Sequence, residues 1–159
     1  MVRDDSTKHI WRGRFLRYAP LALWMGVIFF LSSGQASMAE TSRIIRPILE
    51  FLFPSASEET LLMLVRAIRK FAHFAEYAAL AFFAARALCT SSLQTLRNFW
   101  FAGAMLLVVI VASIDETNQA FTSSRTGSIG DVLIDVFGGI AMILFLLVFK
   151  DKRPFRRLF

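Results

Sequence analysis

Residues 105–111 read Met-Leu-Leu-Val-Val-Ile-Val, the most apolar run in the chain. A helix needs roughly 17 to 25 residues to cross the hydrocarbon core of a bilayer, and this run lies within such a stretch, residues 98–114. Three other apolar stretches have the length of a span: residues 15–31, 67–88 and 132–149. None of the four alternates with a period of two, which disfavours a membrane barrel. The sequence therefore predicts an all-α membrane protein, a bundle of four transmembrane helices.

The composition agrees with this class. The chain has 159 residues, of which 56% are hydrophobic and 19% charged, and its mean hydropathy is +0.55. A chain of this composition is more apolar than an ordinary soluble domain or a disordered chain. The net charge of +6 arises from basic residues at the two ends, so it gives no support to nucleic-acid binding. Cys89 is the single cysteine and indicates nothing about the compartment.

The basic ends also predict the topology. We expect a basic cytoplasmic tail at residues 1–14, a membrane domain at 15–149 and a second basic cytoplasmic tail at 150–159. Arg86 and Arg97 border the loop between the second and third spans, so this loop is also expected inside, with both termini. A basic start followed by an apolar run also fits a cleavable signal peptide, but the run is long for one. Cleavage would leave the other three spans in the same orientation.

The first outer loop is expected to contain structure of its own. Its apolar residues recur at helical spacing at 44–45, 48–49 and 52, and charged residues lie between them. Pro54 ends that segment, and Ser57, followed by two glutamates, has the features of a helix start. The pattern predicts an amphipathic segment on the outer membrane interface.

Polar residues inside the spans are the candidates for function, because an ionisable group near the centre of a membrane helix costs about 2.5 to 3.5 kcal/mol. They occur in the second span, at the end of the third, between the third and fourth, and at the start of the fourth. In that order they are Lys70, His73, Glu76 and Tyr77; Asp115, Glu116, Asn118 and Gln119; Arg125; and Asp131 and Asp135. The predicted topology brings all of them to the outer leaflet, with Glu76 and Asp135 deepest. We therefore expect one polar pocket there.

Each of these residues also has an ordinary structural explanation. Lys70 can extend its ammonium group to the interface, and Asp131 can complement a helix dipole. His73 can be a buried histidine with a partner, while Glu76 and Asp135 can bond neighbouring helices. A functional pocket is favoured because polar groups from three spans would otherwise converge by chance against the cost of insertion.

Two blocks of this sequence resemble the VanZ-like family of small bacterial membrane proteins. The first block is Arg69-Lys70-x-x-His73-Phe74-x-Glu76-Tyr77. The second begins Asp115-Glu116-x-x-Gln119 and continues through Arg125 and Asp131 to Asp135-x-x-Gly138. Residues 31–35, Leu-Ser-Ser-Gly-Gln, are similar to a further family block. The chain departs from the family at residues 122–124, Thr-Ser-Ser, where a Pro-Gly pair is common.

The resemblance implies a multi-pass protein of the bacterial cytoplasmic membrane, in a family named for a gene product associated with resistance to the glycopeptide teicoplanin. It implies no mechanism. We expect an enzyme that acts on a membrane lipid or a lipid-linked envelope precursor. The expected catalytic residues are His73, Glu76, Asp115, Glu116, Asp131 and Asp135. The expected substrate-binding residues are Lys70, Tyr77, Gln119 and Arg125.

Other functions stay open at this stage. The carboxylates and His73 suit a divalent cation such as Mg²⁺ or Mn²⁺, whereas no cysteine pair or second nearby histidine supports zinc. The same pocket suits a non-catalytic lipid- or drug-binding protein. Transport is less favoured because the chain is short and has no visible repeat. A homo-oligomer would weaken that objection.

Overall fold

The computed structural model describes residues 4–32, 38–120 and 129–149. All its regular elements in these ranges are α-helices, which confirms the predicted all-α class. In chain order they are α1 (Asp4–Ser32), α2 (Met38–Leu52), α3 (Glu58–Cys89), α4 (Gln94–Asn98), α5 (Trp100–Ala120) and α6 (Ile129–Phe149).

Three of the described helices are long and apolar enough to cross a membrane. The stretches are Phe15–Ser32 in α1, Trp100–Gln119 in α5 and Ile129–Phe149 in α6. The protein is therefore a helical membrane protein. The remaining predicted span, the second in chain order (residues 67–88), falls in α3. This helix does not meet the same measure of apolarity because its middle carries Arg69, Lys70, His73 and Glu76.

Helix α3 lies at the centre of the bundle and contacts α1, α2, α4, α5 and α6. Its second half contributes small buried side chains, among them Ala81, Ala84 and Ala85, to one apolar cluster with Ala104 and Val108 of α5. Small residues let helix backbones approach closely, which is how helices associate where lipid removes the hydrophobic driving force. The polar helix is thus enclosed by the three apolar ones.

Several helices extend beyond the predicted spans. Helix α1 begins at Asp4, so most of the segment predicted as an N-terminal tail is helical. Helix α3 begins at Glu58, where the Ser57 hydroxyl accepts a hydrogen bond of 3.3 Å from the Thr60 amide and caps the helix. Helix α5 continues to Ala120, which keeps its acidic end helical. The C-terminal tail, 150–159, lies outside the described residues.

Helix α2 packs against the start of α3. Leu49 forms a small buried cluster with Leu61 and Val65 of α3. The Arg46 guanidinium donates to Glu50 at 2.7 Å and to Glu58 of α3 at 2.6 Å. The hydrogen bond to Glu50 and the charge of Glu58 raise the pKa of Arg46 above its ordinary value. The opposite face of α2 exposes apolar side chains: Ile44, Ile48 and Phe51.

Candidate functional site

His73, Asp115 and Asp135 form a compact cluster between α3, α5 and α6. One side-chain nitrogen of His73 and one oxygen of each aspartate all lie within 4.8 Å of one another. The His73 Nδ1 is 3.4 Å from Asp135 Oδ1. Asp115 and Asp135 are 2% and 1% exposed, whereas His73 is half-buried. We call these three residues the triad cluster.

The connectivity of the helices produces this cluster. Asp115 lies in the last turns of α5, and Asp135 lies in the second turn of α6. Because α6 follows α5 and packs against it, the end of one and the start of the other meet at the same end of the bundle. His73, in the middle of α3, contacts both because α3 packs on both helices.

Several buried polar atoms around the triad cluster have no hydrogen-bond partner within the described residues. They are Ser32 Oγ, His73 Nδ1, the Tyr77 hydroxyl, Asp115 Oδ1 and Asp135 Oδ1. Tyr77 has no exposed surface, and its hydroxyl lies near Asp115 without a hydrogen bond of good geometry. Buried polar groups in proteins nearly always have a partner, so a group of such atoms at one place suggests a ligand site.

A cleft of about 180 Å³ leads to the cluster. His73 and Asp115 line it together with Ser32, Arg69 and Glu76. Its apolar wall comes from α1, α2 and α3: Ile28, Leu31, Ile45, Ile68 and Ala72. The cleft thus combines a cation, two acidic groups and an apolar side, which suits an amphipathic ligand.

Two hydrogen bonds hold the surroundings of the cleft in place. The Gln119 side-chain amide donates to Asp115 Oδ2 at 3.0 Å, one helical turn along α5. The Trp24 indole N–H of α1 donates to the backbone carbonyl of Glu76 in α3 at 2.9 Å. Gln119 therefore orients one carboxylate of the cluster, and Trp24 attaches α1 to α3 beside the cleft.

The structure brings together many of the residues singled out from the sequence. His73, Asp115 and Asp135 form the cluster, Tyr77 and Gln119 lie beside Asp115, and Glu76 lines the cleft.

The other predicted site residues are placed differently. Glu116 and Asp131 are half-buried and outside the triad cluster, and Lys70 is exposed and does not line the cleft. At about 100° per residue, Lys70 and Arg69 lie on opposite sides of His73, and the cleft lies on the side of Arg69. Arg125 falls in residues 121–128, outside the described residues.

Three residues that line or support the cleft were not among the predicted site residues. Arg69 takes the place expected for Lys70, and Ser32 and Trp24 come from the first span. Ser32 lies in residues 31–35, the block that resembles the VanZ-like family, so that block was the available signal. No pattern in the sequence distinguishes Trp24 from other aromatic residues of the spans.

The fold and the cleft together define a small helical membrane protein with a buried histidine–carboxylate cluster. Within that class the chain belongs to the VanZ/LLP1 family, whose sequence model matches residues 17–150. The matched region includes every residue of the triad cluster and of the cleft. Searches of curated proteins and of solved structures found no match.

Proposed function

We propose that this protein acts on an envelope lipid or a lipid-linked cell-wall precursor at the outer face of the bacterial cytoplasmic membrane, and thereby changes the response of the cell to teicoplanin. The observation that carries the proposal is the cleft of about 180 Å³ that ends at the triad cluster. The family name links the chain to glycopeptide resistance, and the cleft supplies a place for chemistry on an amphipathic molecule.

The proposed topology has four spans, with α3 as the second in chain order. Helix α3 packs against all three apolar helices, and its second half is buried among them, which supports its place in the membrane. Basic residues at both ends of the chain favour cytoplasmic termini. The triad cluster then lies in the outer leaflet, and α2 lies on the outer interface with Ile44, Ile48 and Phe51 toward lipid.

The proposed chemistry follows from the groups that line the cleft. Arg69 offers a fork of N–H donors for a phosphate or carboxylate, and the apolar wall suits the start of an acyl or prenyl chain. His73 Nδ1 lies 3.4 Å from Asp135 Oδ1, so a small shift of either side chain would give a base oriented by a carboxylate. Asp115, held by Gln119, is a second acid–base group within 4.8 Å of His73.

The test is teicoplanin susceptibility, with the membrane lipid profile, of cells that express the wild type or the variants His73→Ala, Asp115→Asn and Asp135→Asn. We expect each variant to lose the effect of the wild type. Glu59→Gln, which removes an exposed carboxylate on the same central helix, is the control and should keep the effect. If all three variants retain the effect at wild-type membrane levels, the proposed enzyme function is wrong.

A second candidate is a protein that binds a lipid or drug without converting it. The apolar share of the cleft wall favours it, because binding alone requires only the headgroup contacts and that wall. Incubation of the purified protein with phospholipid and polyprenyl phosphate, followed by mass spectrometry, distinguishes the two candidates. A new product supports the enzyme, whereas saturable binding without a product supports the binding protein.

A further inference from the structure

We propose that His73, Asp115 and Asp135 bind one divalent transition-metal ion, Zn²⁺ or Mn²⁺. The inference goes beyond the proposed function, because a cleft that acts on lipid needs no metal. It rests on the geometry, the charge and the unpartnered atoms of the triad cluster.

The distances fit a common metal ion. Two ligand atoms bound to one ion at about 2.1 Å lie about 3.4 Å apart in a tetrahedral site. The observed separation of His73 Nδ1 and Asp135 Oδ1 is 3.4 Å, and the Asp115 oxygen completes a set that spans no more than 4.8 Å. A shift of less than an ångström, on the order of side-chain relaxation, brings all three atoms into coordination range.

The charges fit as well. Two buried aspartates on neighbouring membrane helices repel each other, and each is costly to hold in a medium of low dielectric. A divalent cation with two carboxylates and a neutral imidazole forms a group with no net charge. A proton on His73 balances only one of the two aspartates.

The unpartnered atoms are an independent observation. Asp115 Oδ1, Asp135 Oδ1 and the buried Tyr77 hydroxyl are oxygen donors without a hydrogen bond inside the described residues, and His73 Nδ1 is an available nitrogen donor. The other oxygen of Asp115 accepts from Gln119. A ligating carboxylate whose second oxygen is held by a neighbour is the usual arrangement around metal sites.

The donor set favours Zn²⁺ or Mn²⁺ over Ca²⁺ or Mg²⁺. Imidazole suits Zn²⁺, and the two carboxylates suit Mn²⁺, which also accepts a nitrogen ligand, whereas Ca²⁺ and Mg²⁺ prefer sites made wholly of oxygen. Three protein ligands with one open position are typical of catalytic rather than structural zinc. His73 and Asp115 also line the cleft, so the open position faces the place where a phosphate or water enters.

The experiment measures the metal content of the purified wild-type protein in detergent. The protein is stripped with a chelator, reloaded with Zn²⁺ or Mn²⁺, passed over a desalting column and analysed for metals. We expect one equivalent per chain for the wild type and for Glu59→Gln, and at least a tenfold weaker affinity for Asp115→Asn, Asp135→Asn and His73→Gln. A wild type that retains neither metal, or variants that bind as tightly as the wild type, would overturn the proposal.

Mn²⁺ provides a second measurement that does not depend on the variants being stable. Pulsed electron paramagnetic resonance of the wild type loaded with Mn²⁺ should show coupling to one imidazole nitrogen. Absence of nitrogen coupling excludes His73 as a ligand and overturns the proposed site. The metal site and the proposed function can be contradicted separately. A wild type that holds no metal but still alters the response to teicoplanin would contradict only the metal site. A wild type that binds metal but has no such effect would contradict only the proposed function.

Discussion

Gly138 of α6 lies against the backbone of Phe74 in α3, so closely that a Cβ atom at position 138 would collide with the Phe74 carbonyl oxygen. Phe74 follows His73, and Gly138 lies one turn after Asp135. The contact between these two backbones therefore sets the distance between the two helices at the level of the triad cluster. A backbone carbonyl cannot move aside as a flexible side chain can.

The first prediction concerns this contact. Gly138→Ala should force α6 away from α3 and lower the free energy of unfolding by about 1–3 kcal/mol, as overpacking does. Thermal unfolding of the purified protein in detergent measures the effect. Gly26→Ala in α1 is the matched control, because a Cβ atom there meets nothing within 4 Å. Equal stability of the two variants would contradict the close packing of α3 and α6.

The second prediction concerns the ion pair between Arg46 of α2 and Glu58 of α3. Glu58→Gln removes the charged acceptor of Arg46, so α2 should separate from α3 more often. Hydrogen exchange of the α2 amides should become faster, with little change in overall stability because the pair is exposed. Glu59→Gln has the same position in the first turn of α3 relative to the helix dipole and serves as the control. Identical exchange in both variants would show that Arg46 does not hold α2.

The third prediction concerns the hydrogen bond from Trp24 to Glu76. Trp24→Phe removes the indole N–H and should destabilise the protein by about 1 kcal/mol, the usual net value of one hydrogen bond. Thermal unfolding measures this loss. Phe83→Leu is the complementary variant, since it removes the ring beside Trp24 at 5.7 Å but leaves the hydrogen bond. If Trp24→Phe unfolds at the same temperature as the wild type, the hydrogen bond does not attach α1 to α3.

The fourth prediction tests the topology. Cys89 is the single cysteine, so Cys89→Ser gives a background without thiols. In that background, Ser55→Cys should react with a membrane-impermeant maleimide from outside the cell, and Ser92→Cys only after permeabilisation. Both positions are exposed, on either side of α3. Labelling of both from the same side would exclude α3 as a span and remove the cluster from the outer leaflet.

The apolar spans and the residues of the triad cluster were largely predictable from the sequence, because a polar residue inside a membrane helix is costly and therefore stands out. The helix ends were not, since α1, α3 and α5 extend beyond the predicted spans. His73, Asp115 and Asp135 stand out because their neighbours in the sequence are apolar. The short connections between spans determine which helix ends lie on the same side of the membrane. A different pattern, Ser57 followed by two glutamates, predicts the capped start of α3, which the structure confirms.

The face of α3 that lines the cleft could not be predicted from the sequence in this way. Polar residues occupy a wide arc of α3, and its periodicity alone cannot show where α1 and α2 pack. Those contacts place Arg69 and Glu76 in the cleft and leave Lys70 exposed. The hydrogen bond from the Trp24 indole N–H to the backbone carbonyl of Glu76 could not be predicted either, because a contact with a backbone carbonyl leaves no pattern of residue types.

The 32 residues of α3 extend about 48 Å at 1.5 Å per residue, well beyond a hydrocarbon core of about 30 Å. In the proposed topology α3 crosses the bilayer, so a helix of this length must tilt or project from it, and the degree of tilt follows the local thickness of the lipid. With that topology, a thicker membrane would hold α3 more upright and place His73 deeper, away from the headgroups, whereas a thinner membrane would bring His73 closer to them. The thickness of the surrounding bilayer would therefore control how readily a lipid headgroup reaches the cleft.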